Sequence, residues 1–233
     1  MSKIHFIGGE KGGVGKSVFS RLLSQYFLDN KLAYVGLDAD QSHPTLSRYY
    51  GDYTSPIDLD EFESVDQIME IAIERDCDVI IDLPAQSQRF LDKWLEENDV
   101  LEMCQEMNIP LVYWYVVDDG RDSAALLSKF IDKYHEKLHL AVVKNHLRGD
   151  DFSEVEAIPA LSAPLSVVDQ IDLPALHAGT MHKIDKLNFS FWAAANINDK
   201  SVDHLGIMER QRAKVWMKKV YAMVDDVLAL VKG

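Results

Sequence analysis

The sequence predicts an α/β protein with a mainly parallel, twisted sheet and helices on both faces. Short apolar runs that suit buried strands recur along the chain, and stretches with helical spacing of apolar residues separate them. Strands that are apolar on both sides belong to parallel sheets covered by two helical layers. The chain of 233 residues is long enough for one such domain, and no linker or internal repeat divides it. We therefore expect a single domain over residues 1–233.

The elements are expected in alternating order. The predicted strands are 3–7, 32–37, 79–83, 109–117 and 138–144, with a short edge strand near 165–168. The predicted helices are 16–30, one that follows a capping-box pattern at Ser64 and Gln67, then 88–107, 124–135, 175–195 and 201–231. Asn30 is expected to end the first helix as a left-handed cap.

Composition and charge narrow the functional classes. The net charge of −14 disfavours a surface that coats nucleic acid broadly. The N-terminus lacks the pattern of a signal peptide, and the longest apolar runs are too short to span a bilayer. Cys77 and Cys104 have no ligand spacing, so neither a disulfide framework nor a cysteine metal site is expected. These observations favour a cytoplasmic protein.

The stretch Gly8–Ser17, GGEKGGVGKS, predicts a phosphate-binding loop between the first strand and the first helix. Its glycines allow backbone N–H groups to approach phosphate oxygens, and the helix adds its positive N-terminal end. The usual pattern, G-x-x-x-x-G-K-S/T, has glycine where this chain has Glu10. A second lysine, Lys11, lies inside the loop.

Side chains at the ends of the first three predicted strands have roles in nucleotide chemistry, because ligands lie beyond the carboxyl ends of parallel strands. Lys16 is expected to span the β- and γ-phosphates of ATP, and Ser17 to give its hydroxyl to Mg²⁺. Asp82 or Asp38 is expected to hold the metal through water, and Asp40 to reach an attacking water. Aspartates also end strands as helix caps, so a structural role for Asp82 is an equal alternative.

The segment KGGVGKS resembles the deviant Walker A motif of the ParA/MinD family of P-loop ATPases. In that family the residue at the position of Glu10 need not be glycine. The resemblance implies a P-loop NTPase fold, a three-layer Rossmann-like sandwich, and an ATP-bound homodimer in which Lys11 acts on the partner's phosphates. The implied catalytic residues are Lys11, Lys16 and Asp40. Such a cation in trans works as an arginine finger does.

The resemblance continues through two further motifs. Asp38-Ala39-Asp40-Gln41 is similar to the family's switch I segment, although the proline common before glutamine is missing, and Ile80–Ala85 is similar to its switch II segment. In VVKN, Asn145 stands where relatives read adenine. The expected nucleotide contacts are Lys11, Gly12, Gly13, Val14, Gly15, Lys16, Ser17, Val18 and Asn145. The stretch IDLPALHAGTMHKIDKLNFSFWAAAN resembles the TraL/MobD-like branch found with plasmid transfer and mobilisation genes.

These features predict an ATP-dependent dimerisation switch with slow hydrolysis, stimulated by a protein partner, in plasmid partition, mobilisation or cargo positioning. The alternative is a small-molecule ATP-dependent ligase or kinase, whose substrate pocket His43, Arg48 and Tyr49 would line. Nitrogenase-type electron transfer is not expected, because neither Cys77 nor Cys104 follows a switch segment.

The C-terminal helix carries the candidate DNA contacts. Either its cations bind DNA nonspecifically, as in partition ATPases, or they face water while the apolar side packs on the sheet. The cations are Arg210, Arg212, Lys214, Lys218 and Lys219. Membrane targeting is not expected, because Asp225 and Asp226 stand where a membrane-binding tail would be basic.

Overall fold

The strands form one parallel sheet in the computed structural model, which describes residues 2–163 and 168–231. Across these residues the order is β3-β2-β4-β1-β5-β6-β7, and every neighbouring pair is parallel. The strands are β1 (Ile4–Gly8), β2 (Tyr34–Asp38), β3 (Thr54–Pro56), β4 (Asp78–Asp82), β5 (Leu111–Val117), β6 (His139–Asn145) and β7 (Asp169–Leu173). The predicted fold class is confirmed, and β1, which leads into the glycine loop, lies at the centre of the sheet.

Helices connect the strands and cover both faces. They are α1 (Lys16–Asp29), α2 (Thr45–Tyr50), α3 (Phe62–Glu74), α4 (Gln88–Glu97), α5 (Val100–Glu106), α6 (Arg121–Tyr134), α7 (Ser153–Glu156), α8 (Pro159–Ser162), α9 (Ala178–Lys186), α10 (Phe191–Asn196) and α11 (Ile207–Leu230). A short 3-10 turn, Gly51–Tyr53, follows α2.

The two faces of the sheet bury separate cores. One core packs under α3 to α6, where Phe6 meets Trp94 edge to face. The other packs under α1 and α9 to α11, where the Trp114 ring lies 5.2 Å from that of Phe19. Strands β1, β4, β5 and β6 are buried almost throughout, as continuous apolar runs require.

Two edge strands differ from the sequence prediction. Residues 164–167 lie outside the described residues, so the predicted strand near 165–168 falls mostly there. The edge strand that the structure shows is β7, which begins at Asp169. The other edge strand, β3, was not predicted, because three residues with a proline and a serine are too short and polar to produce a strand pattern.

Several predicted helix boundaries were wrong. The helix predicted over 88–107 is broken at Asp99 (φ 47°), and the one over 175–195 is broken at Asn188 (φ 52°). The capping box is absent, because α3 begins at Phe62 and the hydroxyl of Ser64, in its first turn, accepts the Asp58 N–H. Asn30 is not left-handed (φ −88°).

Candidate nucleotide-binding site

The glycine loop leaves the carboxyl end of β1 and enters α1 at Lys16. Gly15 has φ 104°, and a Cβ there would lie 2.2 Å from the Asn145 Nδ2 atom. Only glycine fits this close approach without strain. Asn145, at the end of β6, donates from Nδ2 to the Val14 carbonyl (2.7 Å) and accepts the Leu147 N–H (3.1 Å). Its amide therefore holds the loop in place, and the contact with adenine that the family resemblance implies stays a prediction.

The Lys16 ammonium group lies inside the loop. Its Nζ donates to the carbonyls of Gly9 and Lys11, both at 2.9 Å, and the residue is 7% exposed. Burial lowers the pKa of Lys16, while the nearby carboxylates of Asp82 and Glu10 act in the opposite direction. The buried ammonium group is therefore paired with two main-chain carbonyls of the loop.

Asp82, at the end of β4, is a buried carboxylate whose pKa is raised. It is 1% exposed, and neither carboxyl oxygen accepts a hydrogen bond. Burial raises its pKa to about 7, a rise that the nearby hydroxyls of Ser20 and Ser17 offset only in part. Ser20 in fact donates to the Lys16 carbonyl.

The donor set at Asp82 fits a hard divalent cation. A buried carboxylate without partners, next to the Ser17 hydroxyl, offers oxygen ligands of the kind that Mg²⁺ prefers. Within residues 2–163 and 168–231 no group of three or more His, Cys, Asp or Glu side chains could hold a metal ion. The remaining ligands would therefore be phosphate oxygens and waters, which is the usual arrangement for Mg²⁺.

Asp38 and Asp40 have different surroundings. Asp38 accepts the Asp40 N–H (3.3 Å) and the Ser47 N–H (2.8 Å), so its oxygens orient the loop that leads into α2. Burial raises the pKa of Asp38, and these hydrogen bonds oppose the rise. Asp40 is half-buried, accepts the His43 N–H (3.0 Å) and lines a cavity beside Lys16 and Ser17.

That cavity, about 640 Å³, is bounded by the glycine loop, α2 and the C-terminal end of α9. His43, Arg48 and Tyr49, named for a substrate pocket, all line it. Arg148, which the sequence analysis did not single out, lines it too.

Arg21 is a second residue of this cavity that the sequence analysis missed. It is 2% exposed, its Nη1 lies 2.8 Å from Asp185 Oδ1, and its guanidinium stacks 3.6 Å from the centre of the Tyr49 ring. Arg48 of α2 also bonds to Asn188. The α9–α10 turn thus holds α2 against α1. The only sequence signal was an arginine on the apolar side of a helix.

Lys11 points away from the cavity. Its Nζ lies 2.8 Å from Asp118 Oδ2, just after β5, and the hydrogen bond to Asp118 raises the pKa of Lys11. Asp118 also accepts N–H of Gly120 and the hydroxyl of Ser123. The Lys11 ammonium group is therefore held by Asp118, while only its carbonyl contacts Lys16.

The predicted DNA contacts lie on α11. Four of them are exposed, whereas Arg210 is half-buried and donates to the Leu205 carbonyl. The opposite side of α11 is buried against the sheet through Trp216, Val220, Val224 and Val227. We call the exposed set, Arg212, Lys214, Lys218 and Lys219, the basic face of α11. No helix in the described parts of the chain has both the length and the apolar character that a membrane crossing needs.

Comparisons with known proteins agree with this architecture. No protein-family model matches the chain. It is 28% identical to a Protein TraL of Escherichia coli, over 99% of this chain and 100% of that protein. It is 29% identical to Protein MobD of Acidithiobacillus ferrooxidans, over 64% of this chain and 65% of that protein.

Two solved structures share the fold at low identity. A ParA family ATPase from Chlorobium tepidum superposes with a TM-score of 0.57 at 12% identity, over 93% of this chain and 98% of its own. The MinD cell division protein of Aquifex aeolicus gives a TM-score of 0.56 at 11% identity, over 94% and 97%. The chain therefore shares the fold of these two P-loop structures and is similar in sequence to TraL and MobD.

Proposed function

We propose that this protein is a cytoplasmic ATPase that hydrolyses ATP slowly and dimerises when ATP-Mg²⁺ is bound. The observation that carries the proposal is the pair of lysines in one loop. Lys16 lies inside the loop, and Lys11 leaves it to meet Asp118. One cation is thus available to the chain's own phosphates, and the other to a second chain.

The residues of the site divide the work of phosphoryl transfer. The loop N–H groups and Lys16 bind the phosphates, with the N-terminus of α1 behind them. Ser17 and Asp82 would hold Mg²⁺, which neutralises charge on the phosphate oxygens. Asp40 lies at the edge of the same cavity, where it would orient the attacking water.

In this proposal, dimerisation adds a second cation, Lys11 of the other chain, to each phosphate site. The Lys11 ammonium of each chain would leave Asp118 and stabilise charge at the γ-phosphate of the other. A slow reaction suits a switch, since the dimer must last long enough for a partner protein to bind and stimulate hydrolysis. The similarity to TraL and MobD supports a role in plasmid mobilisation or partition, and the basic face of α11 is the candidate for nonspecific DNA contact.

The test is light scattering after size exclusion on an Asp40→Ala variant, with ADP and then with ATP-Mg²⁺. Blocking hydrolysis should trap the dimer, so we expect a monomer with ADP and a dimer with ATP. Adding Lys11→Ala should abolish the dimer, and adding Lys200→Ala, which removes an exposed lysine elsewhere, should not. A dimer that survives Lys11→Ala would contradict the action of Lys11 in trans.

A small-molecule ligase or kinase is the second candidate. His43, Arg48 and Tyr49 line the same cavity as the glycine loop, as a substrate pocket would require. Tight ATP binding by a persistent monomer, with phosphate release that rises well above the basal rate when a substrate is added, would favour this candidate over the switch.

A further inference from the structure

Glu10 stands where the usual phosphate-binding loop has glycine, and it contacts the segment that follows β4. Its Oε1 accepts the N–H of Gln88 (2.8 Å), the first residue of α4. Its carbonyl accepts the N–H of Gln86 (3.2 Å), which has φ 61°. Main chain and side chain of one residue therefore tie the glycine loop to residues 86–88, which directly follow the segment that resembles switch II.

The start of α4 needs this contact. The first N–H groups of a helix have no partner within the helix and are usually capped by a side chain just before it. Ser87, at that position, makes no capping bond, and its buried hydroxyl has no partner. The first turn of α4 contains no acidic residue either. The Glu10 carboxylate supplies both the acceptor and the negative charge that this helix end favours.

The residues on either side of Glu10 are hydrogen-bonded to Lys16. Lys16 Nζ donates to the carbonyl of Lys11, which follows Glu10, and to the carbonyl of Gly9, which precedes it. When Lys16 turns to a phosphate, these flanking carbonyls lose donors. The Gly9–Glu10 peptide unit and the Lys11–Gly12 unit therefore change their hydrogen bonds when the site is filled.

We propose that Glu10 is a positioning residue that links phosphate binding at Lys16 to the position of α4. The inference rests on the proposed function, because it assumes that a nucleoside triphosphate reaches Lys16. Glycine at residue 10 would leave the loop able to bind phosphate but would leave the start of α4 without its cap. Glutamine keeps the carbonyl acceptor and should preserve the link.

The experiment is hydrogen exchange of α4, followed by mass spectrometry, with and without ATP-Mg²⁺. It uses Asp40→Ala protein alone and with Glu10→Ala or Glu10→Gln added. We expect ATP to change the exchange rate of residues 88–97 severalfold in the parent and in Glu10→Gln, and not in Glu10→Ala. Nucleotide affinity, measured with a fluorescent ATP analogue, should change less than about threefold in either variant.

Three results would overturn the inference. The first is an unchanged ATP response of α4 in Glu10→Ala, and the second is no response in the parent. The third is a loss of nucleotide affinity in Glu10→Ala as large as the loss of response, which would make Glu10 only a structural part of the loop. Light scattering on the same samples separates the two proposals. An α4 response that needs Glu10, without a dimer, leaves the link and removes the switch, whereas an ATP-bound dimer whose α4 response is the same with and without Glu10 leaves the switch and removes the link.

Discussion

Asp82→Asn should stabilise the protein in a way that depends on pH, provided that nucleotide and metal are absent. The folded-state pKa of Asp82 is about 7, against 3.8 for the free side chain. The folded protein therefore binds more protons than the unfolded chain between these values, so stability falls as the pH rises through this window and stays low above it. At about 1.4 kcal/mol per pKa unit, this linkage lowers the free energy of unfolding, relative to strongly acidic pH, by about 4 kcal/mol at pH 8 and about 2 kcal/mol at pH 5.

Asparagine has no such titration, so the free energy of unfolding of Asp82→Asn relative to the parent should rise by about 2–3 kcal/mol between about pH 5 and pH 8. Any fixed cost of an unpaired amide, about 1–3 kcal/mol, is the same at both pH values and cancels in this difference. Urea unfolding in EDTA at the two pH values measures it.

Asp226→Asn is the control for that measurement, because it removes an exposed carboxylate and the same formal charge. An Asp82→Asn effect that is equal at both pH values would refute the account of a buried, unpartnered carboxylate. With ATP-Mg²⁺ present the parent should be more stable than Asp82→Asn, since a ligand that needs Asp82 stabilises only the parent.

Three other changes test separate parts of the site. Asn145→Ala, which removes the bond to the Val14 carbonyl, should lower the free energy of unfolding by about 1–3 kcal/mol and weaken nucleotide binding about tenfold; intact affinity in a titration would contradict its role in holding the loop. Asp118→Asn should release Lys11 and tighten the ATP-bound dimer by about fivefold at most, since a partly exposed ion pair is worth up to about 1 kcal/mol; analytical ultracentrifugation measures this. If the basic face of α11 binds DNA through four phosphates, affinity should fall about a hundredfold between about 50 and 200 mM salt, and a flat salt response would argue against it.

The pattern of apolar residues was sufficient to predict the central strands of the sheet. The central strands are apolar on both faces, so each appears as a continuous run, and the five strands from β1 to β6 apart from β3 were placed to within two residues or so. Element ends were predicted less well because they depend on single backbone conformations. Asp99 and Asn188 adopt positive φ and divide helices that look continuous in the sequence.

Side-chain contacts between segments that lie far apart in the sequence were not predicted. Arg21 lies 164 positions from Asp185, and no spacing rule connects them. The hydrogen bond from the Asn145 amide to the Val14 carbonyl spans 131 positions, and a short motif likewise could not predict it. A pattern that marks a residue as polar and near the sheet edge does not say whether it will bind ligand or protein.

Asp38 and Asp82 show how neighbouring residues can decide whether a carboxylate at the sheet edge bonds to the chain itself or is left for a ligand. They end adjacent parallel strands and are direct neighbours in register. Asp38 accepts the N–H of Asp40, two residues on, in the common aspartate turn. The residue two positions after Asp82 is Pro84, which has no N–H to donate.

The proline therefore removes the nearest main-chain donor from one of two otherwise similar carboxylates. The chain satisfies Asp38 with its own backbone and leaves Asp82 buried without a partner. A buried carboxylate of this kind favours a cation, which takes the place of the proton that burial otherwise holds on it. This difference, which Pro84 makes, is the physical reason to propose Asp82 rather than Asp38 as the carboxylate that would hold a metal, while Asp38 orients the loop that leads into α2.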